Sequence, residues 1–106
     1  MSRFAEVVER LRAVIESRKG GDPDTSWSAK LLADPTLASK KLAEEAMEAA
    51  LAAVKGEKEA LAAESADLVY HWLVVLAAAG VSLDDVAAEL EAREGVSGIE
   101  EKASRK

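Results

Sequence analysis

Two stretches hold most of the residues able to do chemistry, KKLAEEAMEA (40–49) and ESADLVYH (64–71). In the first, Glu44, Glu45 and Glu48 form an EExxE pattern, with Lys41 just ahead of it. In the second, Glu64 and Asp67 form ExxD, and His71 follows one turn later. If both stretches are helical, a rotation of about 100° per residue puts Lys41, Glu44, Glu45 and Glu48 in one sector, and Leu42, Ala46, Met47, Ala50 and Val54 on the other side. The same rotation lines Glu64, Asp67 and His71 along one narrow stripe. Converging carboxylates repel and raise one another's pKa unless a cation sits among them. Oxygen donors, with no cysteine and a single histidine, suit a hard divalent ion, Mg²⁺ with Mn²⁺ as a substitute. Such an ion keeps positions open for phosphate oxygens, polarises a phosphoryl group and activates water.

The bland explanation competes with this one. EExxE is common on the solvated face of acidic helices, and a lone His71 in an apolar run is more often a satisfied core residue than a catalyst. ExxD inside an apolar helix is less ordinary, because the charges of Glu64 and Asp67 need compensation there. What joins the two motifs is register. Gly56 lies about two turns after Glu48 and about two turns before Glu64, so an antiparallel hairpin sets those two opposite each other, with Glu44 or Glu45 beside Asp67. A di-iron site would need repeated Glu-x-x-His, which the spacing to His71 does not supply. His71 could instead hold a carboxylate from behind or donate to a phosphate.

The elements that must position these groups are helices. Residues 3–17 place Phe4, Val7, Val8, Leu11, Val14 and Ile15 at helical spacing. The segment RKGGDPDTSWS (18–28) reads as a loop, with Trp27 and Lys30 able to frame a phosphate or a base. SAKLLA (28–33) reads as a short helix. Asp34-Pro35 supplies a cap and a first-turn proline for a long helix over 36–55, and Gly56 a left-handed stop. A second long helix runs over 57–79 to Gly80, apolar nearly all round. A third helix runs over 81–93, with Ser82 and Asp85 in reciprocal capping positions. No alternating strand pattern is present, so the expected fold is an all-α antiparallel bundle with the two acidic motifs on adjacent long helices. The polar segment 95–106 reads as a frayed terminus, although Ile99 could instead anchor it against the body.

With 106 residues the chain fits one domain and buries about two thirds of its unfolded surface, so a partner subunit could contribute to stability. A net charge of -6 argues against nucleic acid, which favours a basic patch. Without cysteine, disulfides, thiolate zinc sites and cysteine nucleophiles are excluded. No leader pattern opens the sequence and no run reaches the ~18 uninterrupted apolar residues of a membrane span. The expectation is a cytoplasmic protein with no membrane partner.

The combination DTSWSAKLL (24–32), KLAEEAMEAALAAVKGE (41–57), ESADLVYHWLVVLAAAGVSLDDVAAELEAR (64–93) and GVSGIEEKASRK (95–106) resembles the phosphoribosyl-ATP pyrophosphatase family, within the all-α NTP pyrophosphatases that share EExxE…ExxD. EExxE alone is weak; joined with ESADLVYH and SGIEEKASR the pattern is specific and spans nearly the whole chain. The resemblance implies Mg²⁺-dependent hydrolysis of 1-(5-phosphoribosyl)-ATP to 1-(5-phosphoribosyl)-AMP and pyrophosphate, the second step of histidine biosynthesis. Carried over by position, Glu44 or Glu45 with Glu48, Glu64 and Asp67 would be metal ligands and the catalytic set. Trp27, Lys30, Lys41, His71, Lys102 and Arg105 would meet the substrate. The resemblance also implies a homodimer forming a joint bundle, a catalytic domain over 1–94, and a basic segment over 95–106 closing on substrate phosphates. Trp27 departs from the family's usual Tyr, and either ring can stack. No neighbouring cyclohydrolase sequence is present, so a stand-alone form is expected. Two other readings remain at this point: a house-cleaning nucleoside triphosphate pyrophosphatase of the same superfamily, and a non-enzymatic helical dimerisation module.

Overall fold

A computed structural model describes residues 2–95, 98, 99 and 102. It contains α1 (Arg3–Ser17), α2 (Trp27–Ala33), α3 (Pro35–Val54), α4 (Lys58–Ala79) and α5 (Leu83–Ala92), and no strand occurs among the described residues. The chain is therefore all-α, with helix bounds within two residues of those expected. Polar caps set most of the starts. Ser26 Oγ accepts from the Ala29 amide at 3.1 Å and so begins α2 at Trp27. Asp34 Oδ1 accepts from the Leu37 amide at 3.1 Å, ahead of Pro35 in the first turn of α3. Ser82 and Asp85 cap α5 reciprocally, at 3.0 and 2.9 Å. Each such cap is worth roughly 1 kcal/mol.

The α3–α4 hairpin is the principal packing unit, and α1 and α2 lie against α4. Its turn is built by Gly56 at φ 71°. There the Glu57 amide reaches back to the Ala52 carbonyl at 3.0 Å and the Gly56 amide to Ala53 at 3.1 Å, the two bonds of a Schellman stop. Gly80, at φ 74°, ends α4 in the same way. A side chain at either position would have to enter the left-handed region. The core is small: Ile15 from α1, Leu31 from α2, Ala38 from α3, and Leu73 and Val74 from α4.

As the hairpin register leads one to expect, Glu45 and Glu48 of α3 meet Glu64 of α4. The buried residues of α3 are Ala38, Glu45, Ala49 and Ala52, whereas Met47 is 61 % and Val54 86 % exposed. The acidic sector, rather than the Met47–Val54 side, faces α4. Alanines on that face let the two backbones approach closely, which is what allows carboxylates from both helices to meet. The larger apolar side chains are left outward in the single chain. α4 is long and apolar enough by composition to cross a membrane, but it packs against three other helices and holds Glu64 and Asp67 within its length. Ile99 is 84 % exposed and does not anchor its segment to the body of this chain.

Candidate functional site

Glu45 and Glu48 from α3 and Glu64 from α4 converge, each offering a carboxylate oxygen within 4.8 Å of the others. α3 ends at Val54 and α4 begins at Lys58, with Gly56 at φ 71° turning the chain between them; that short link fixes the register that pairs Glu48 with Glu64. Glu45 is buried at 8 % exposure, and its Oε2, like that of Glu64, is buried with no hydrogen-bond partner. Buried carboxylate oxygens without partners are costly.

The electrostatics follow from the crowding. Glu45 is shifted upward, first by burial, then by the Glu48 carboxylate beside it and the charge of Asp67, with His71 opposing. Glu64 is pushed up to about 7, chiefly by Glu48, with which one shared proton would make a hydrogen bond, and then by burial and the charge of Glu45. Two carboxylates in contact cannot both ionise freely unless a cation or proton separates them. Three converging carboxylates with two orphaned oxygens are a donor set that fits a hard divalent ion.

The other sequence-derived candidates distribute around this cluster. Glu44 lies outside it, half-exposed, with its Oε1 3.8 Å from Lys41 Nζ. Asp67 is exposed on α4 and is also outside the 4.8 Å group, although its charge reaches Glu45. His71 is buried at 6 % exposure. Its Nδ1–H donates to the Asp67 backbone carbonyl at 2.7 Å, which fixes the proton on Nδ1, and its Nε2 is buried and unpartnered. Trp27 is half-exposed at 46 %, with Lys30 Nζ 5.7 Å from its ring centroid. Lys102 is exposed, and Arg105 lies outside the described residues. Sequence periodicity gave no sign of the contact between Ser28 Oγ and Tyr70 Oη, because a pairing across 42 residues leaves no periodic trace.

Comparison with known proteins identifies the family. The family model described as phosphoribosyl-ATP pyrophosphohydrolase matches residues 8–94. A protein from Caulobacter vibrioides named phosphoribosyl-ATP pyrophosphatase is 66 % identical over 103 residues, covering 97 % of this chain and 96 % of that protein. Proteins of the same name from Cereibacter sphaeroides and Dinoroseobacter shibae are each 58 % identical over 100 residues, covering 93 % of this chain and 97 % and 98 % of theirs. The matched span contains every carboxylate of the cluster, and the chain belongs to the phosphoribosyl-ATP pyrophosphohydrolase family.

Proposed function

We propose that Glu45, Glu48, Glu64 and Asp67, with Glu44 at the edge, hold Mg²⁺ for the reaction that family membership assigns to this chain. That reaction is hydrolysis of 1-(5-phosphoribosyl)-ATP to 1-(5-phosphoribosyl)-AMP and pyrophosphate, the second step of histidine biosynthesis. The observation that carries the metal reading is the convergence of Glu45, Glu48 and Glu64 with two of their oxygens buried and unpartnered. When bound, a divalent ion supplies charge to the phosphate oxygens and makes a water a better nucleophile. The chain's own groups do the rest. Water adds to the α-phosphorus, the α–β anhydride bond breaks, and pyrophosphate leaves with its electrons. Lys41 sits on the acidic sector of α3 and meets the leaving charge; Trp27 and Lys30 hold the nucleotide at α2. His71, locked through Nδ1, supports the α4 carboxylates from behind. The domain over 1–94 carries the chemistry, and the segment over 95–106 brings Lys102 and Arg105 to the phosphates. No covalent nucleophile is required.

The chain acts as a homodimer in this reading. Met47, Leu51 and Val54 form one exposed stripe on α3, and Phe4, Val7 and Val14 another on α1. Leu51→Glu with Val54→Glu is expected to convert the dimer to monomer in light scattering at micromolar concentration; a monomeric wild type would remove the dimer. The enzyme works in the cytoplasm, where a soluble nucleotide substrate is at hand.

The house-cleaning triphosphatase shares the carboxylates, so substrate choice decides between them. Pyrophosphate release measured in parallel from phosphoribosyl-ATP, dATP and dUTP is expected to favour phosphoribosyl-ATP by about 100-fold or more in kcat/KM. Equal turnover of the plain triphosphates would overturn the assignment. A module without enzymatic activity is set aside by family membership.

A further inference from the structure

Among the described residues one side-chain hydrogen bond joins distant parts of the chain, that between Ser28 Oγ on α2 and Tyr70 Oη on α4, 42 residues apart. Every other side-chain hydrogen bond there spans four residues or fewer. The Tyr70 ring in turn meets the His71 ring edge-on, with centroids 4.9 Å apart and planes at 86°. His71 donates to the Asp67 carbonyl. A continuous set of contacts therefore runs from the first turn of α2 to the acidic stretch of α4.

The first turn of α2 needs such a tie. With seven residues the helix is too short to be stable alone, and tertiary contacts must set its position. Ala29 and Leu31 are buried beneath it. Burial of this kind is non-directional and leaves the rotation of a short helix weakly specified. A hydroxyl–hydroxyl bond is directional, and Ser28 stands between Trp27 and Lys30, whose side chains approach each other on the exposed side.

We propose that the Ser28–Tyr70 pair fixes the rotational setting of α2 on α4, and thereby the placement of Trp27 and Lys30 relative to the carboxylate cluster. Ser28 and Tyr70 are positioning residues for the substrate. The inference rests on the reading of Trp27 and Lys30 as substrate contacts. Those contacts act on a part of the nucleotide away from the bond that breaks, so they are equally strong in the ground state and the transition state. Loosening them raises KM and spares kcat.

The test is steady-state kinetics on the full chain with phosphoribosyl-ATP and saturating Mg²⁺. Tyr70→Phe keeps the ring and its contact with His71 and removes the hydroxyl alone. It is expected to raise KM about five- to tenfold with kcat within about twofold of wild type. Ser28→Ala is expected to match it, the double variant to be no worse than either single one, and Ser28→Thr to restore KM. Ser28→Ala carries the test by itself if Tyr70→Phe fails to fold. An unchanged KM, a parallel fall in kcat, or additive single effects would overturn the proposal. Trp27→Ala and Lys30→Ala separate the two levels. If they raise KM while Tyr70→Phe and Ser28→Ala do not, the positioning role falls and the substrate contacts stand. If none of the four raises KM, the substrate contacts fall and the positioning role falls with them.

Discussion

Glu64→Gln is expected to lower turnover by about 10³-fold while leaving the fold intact and raising the melting temperature of the metal-free protein at pH 8. Both halves come from one geometry. Glu64 offers its carboxylate within 4.8 Å of those of Glu45 and Glu48, so the amide removes a full charge from the group that would bind the ion. In the metal-free protein the same charge is a liability, and crowding by Glu48, burial and Glu45 push the Glu64 pKa up to about 7. Glutamine imitates the protonated side chain permanently. The gain should therefore appear at pH 8, where the wild-type carboxylate is ionised, and shrink at pH 5, where it is already protonated. Asp67→Asn is expected to lose turnover similarly with a smaller effect on melting, since Asp67 is exposed. Near wild-type rates in Glu64→Gln would exclude it as a ligand.

Metal-linked stability should respond to pH in opposite directions with and without the ion. A carboxylate whose folded pKa lies above its unfolded value holds its proton more tightly in the folded state. For Glu64 that contribution is complete below about 4.5 and is lost as pH rises through about 7; the upward shift of Glu45 acts in the same direction. These two groups therefore lower the melting temperature of the metal-free protein between pH 5 and pH 8. Mg²⁺ must displace the protons to bind, so its stabilisation grows over the same interval. At a hundredfold excess over Kd the ion adds about 2.7 kcal/mol, on the order of 10 °C in melting temperature for a domain of this size. Melting curves at pH 5 and pH 8, with and without Mg²⁺, check both signs. An Mg²⁺ shift that is absent at pH 8, or larger at pH 5, would contradict the site.

Much of this was legible in the residues because the signals were local. Asp34-Pro35, Ser82 with Asp85, Gly56 and Gly80 each specify a helix end through their own backbone chemistry, and the structure uses all of them. Placing Glu48 opposite Glu64 required only the position of Gly56 and antiparallel packing. On α3, which glutamate of the acidic face becomes buried was not legible. The helix's alanines occur on every side, so apolar periodicity is shallow, and the larger Met47, Leu51 and Val54 mark the outward stripe. Tertiary packing chose the face that lets α3 and α4 approach most closely, which buried Glu45 and left Glu44 paired with Lys41. Sequence spacing alone could not separate those two glutamates, since both occupy the same sector. The Ser28–Tyr70 contact was hidden for another reason: it depends on how α2 lies against α4, and nothing in either segment alone encodes that.

The most direct test is a crystal structure of the protein with Mn²⁺ and a non-hydrolysable analogue of phosphoribosyl-ATP, with the ion located by its anomalous scattering. The account predicts an anomalous peak within about 2.2 Å of carboxylate oxygens from both α3 and α4, Glu48 and Glu64 among them, with the analogue's phosphates completing the coordination. Analogue bound elsewhere, with Glu48 and Glu64 turned apart into solvent and no ion between them, would contradict it.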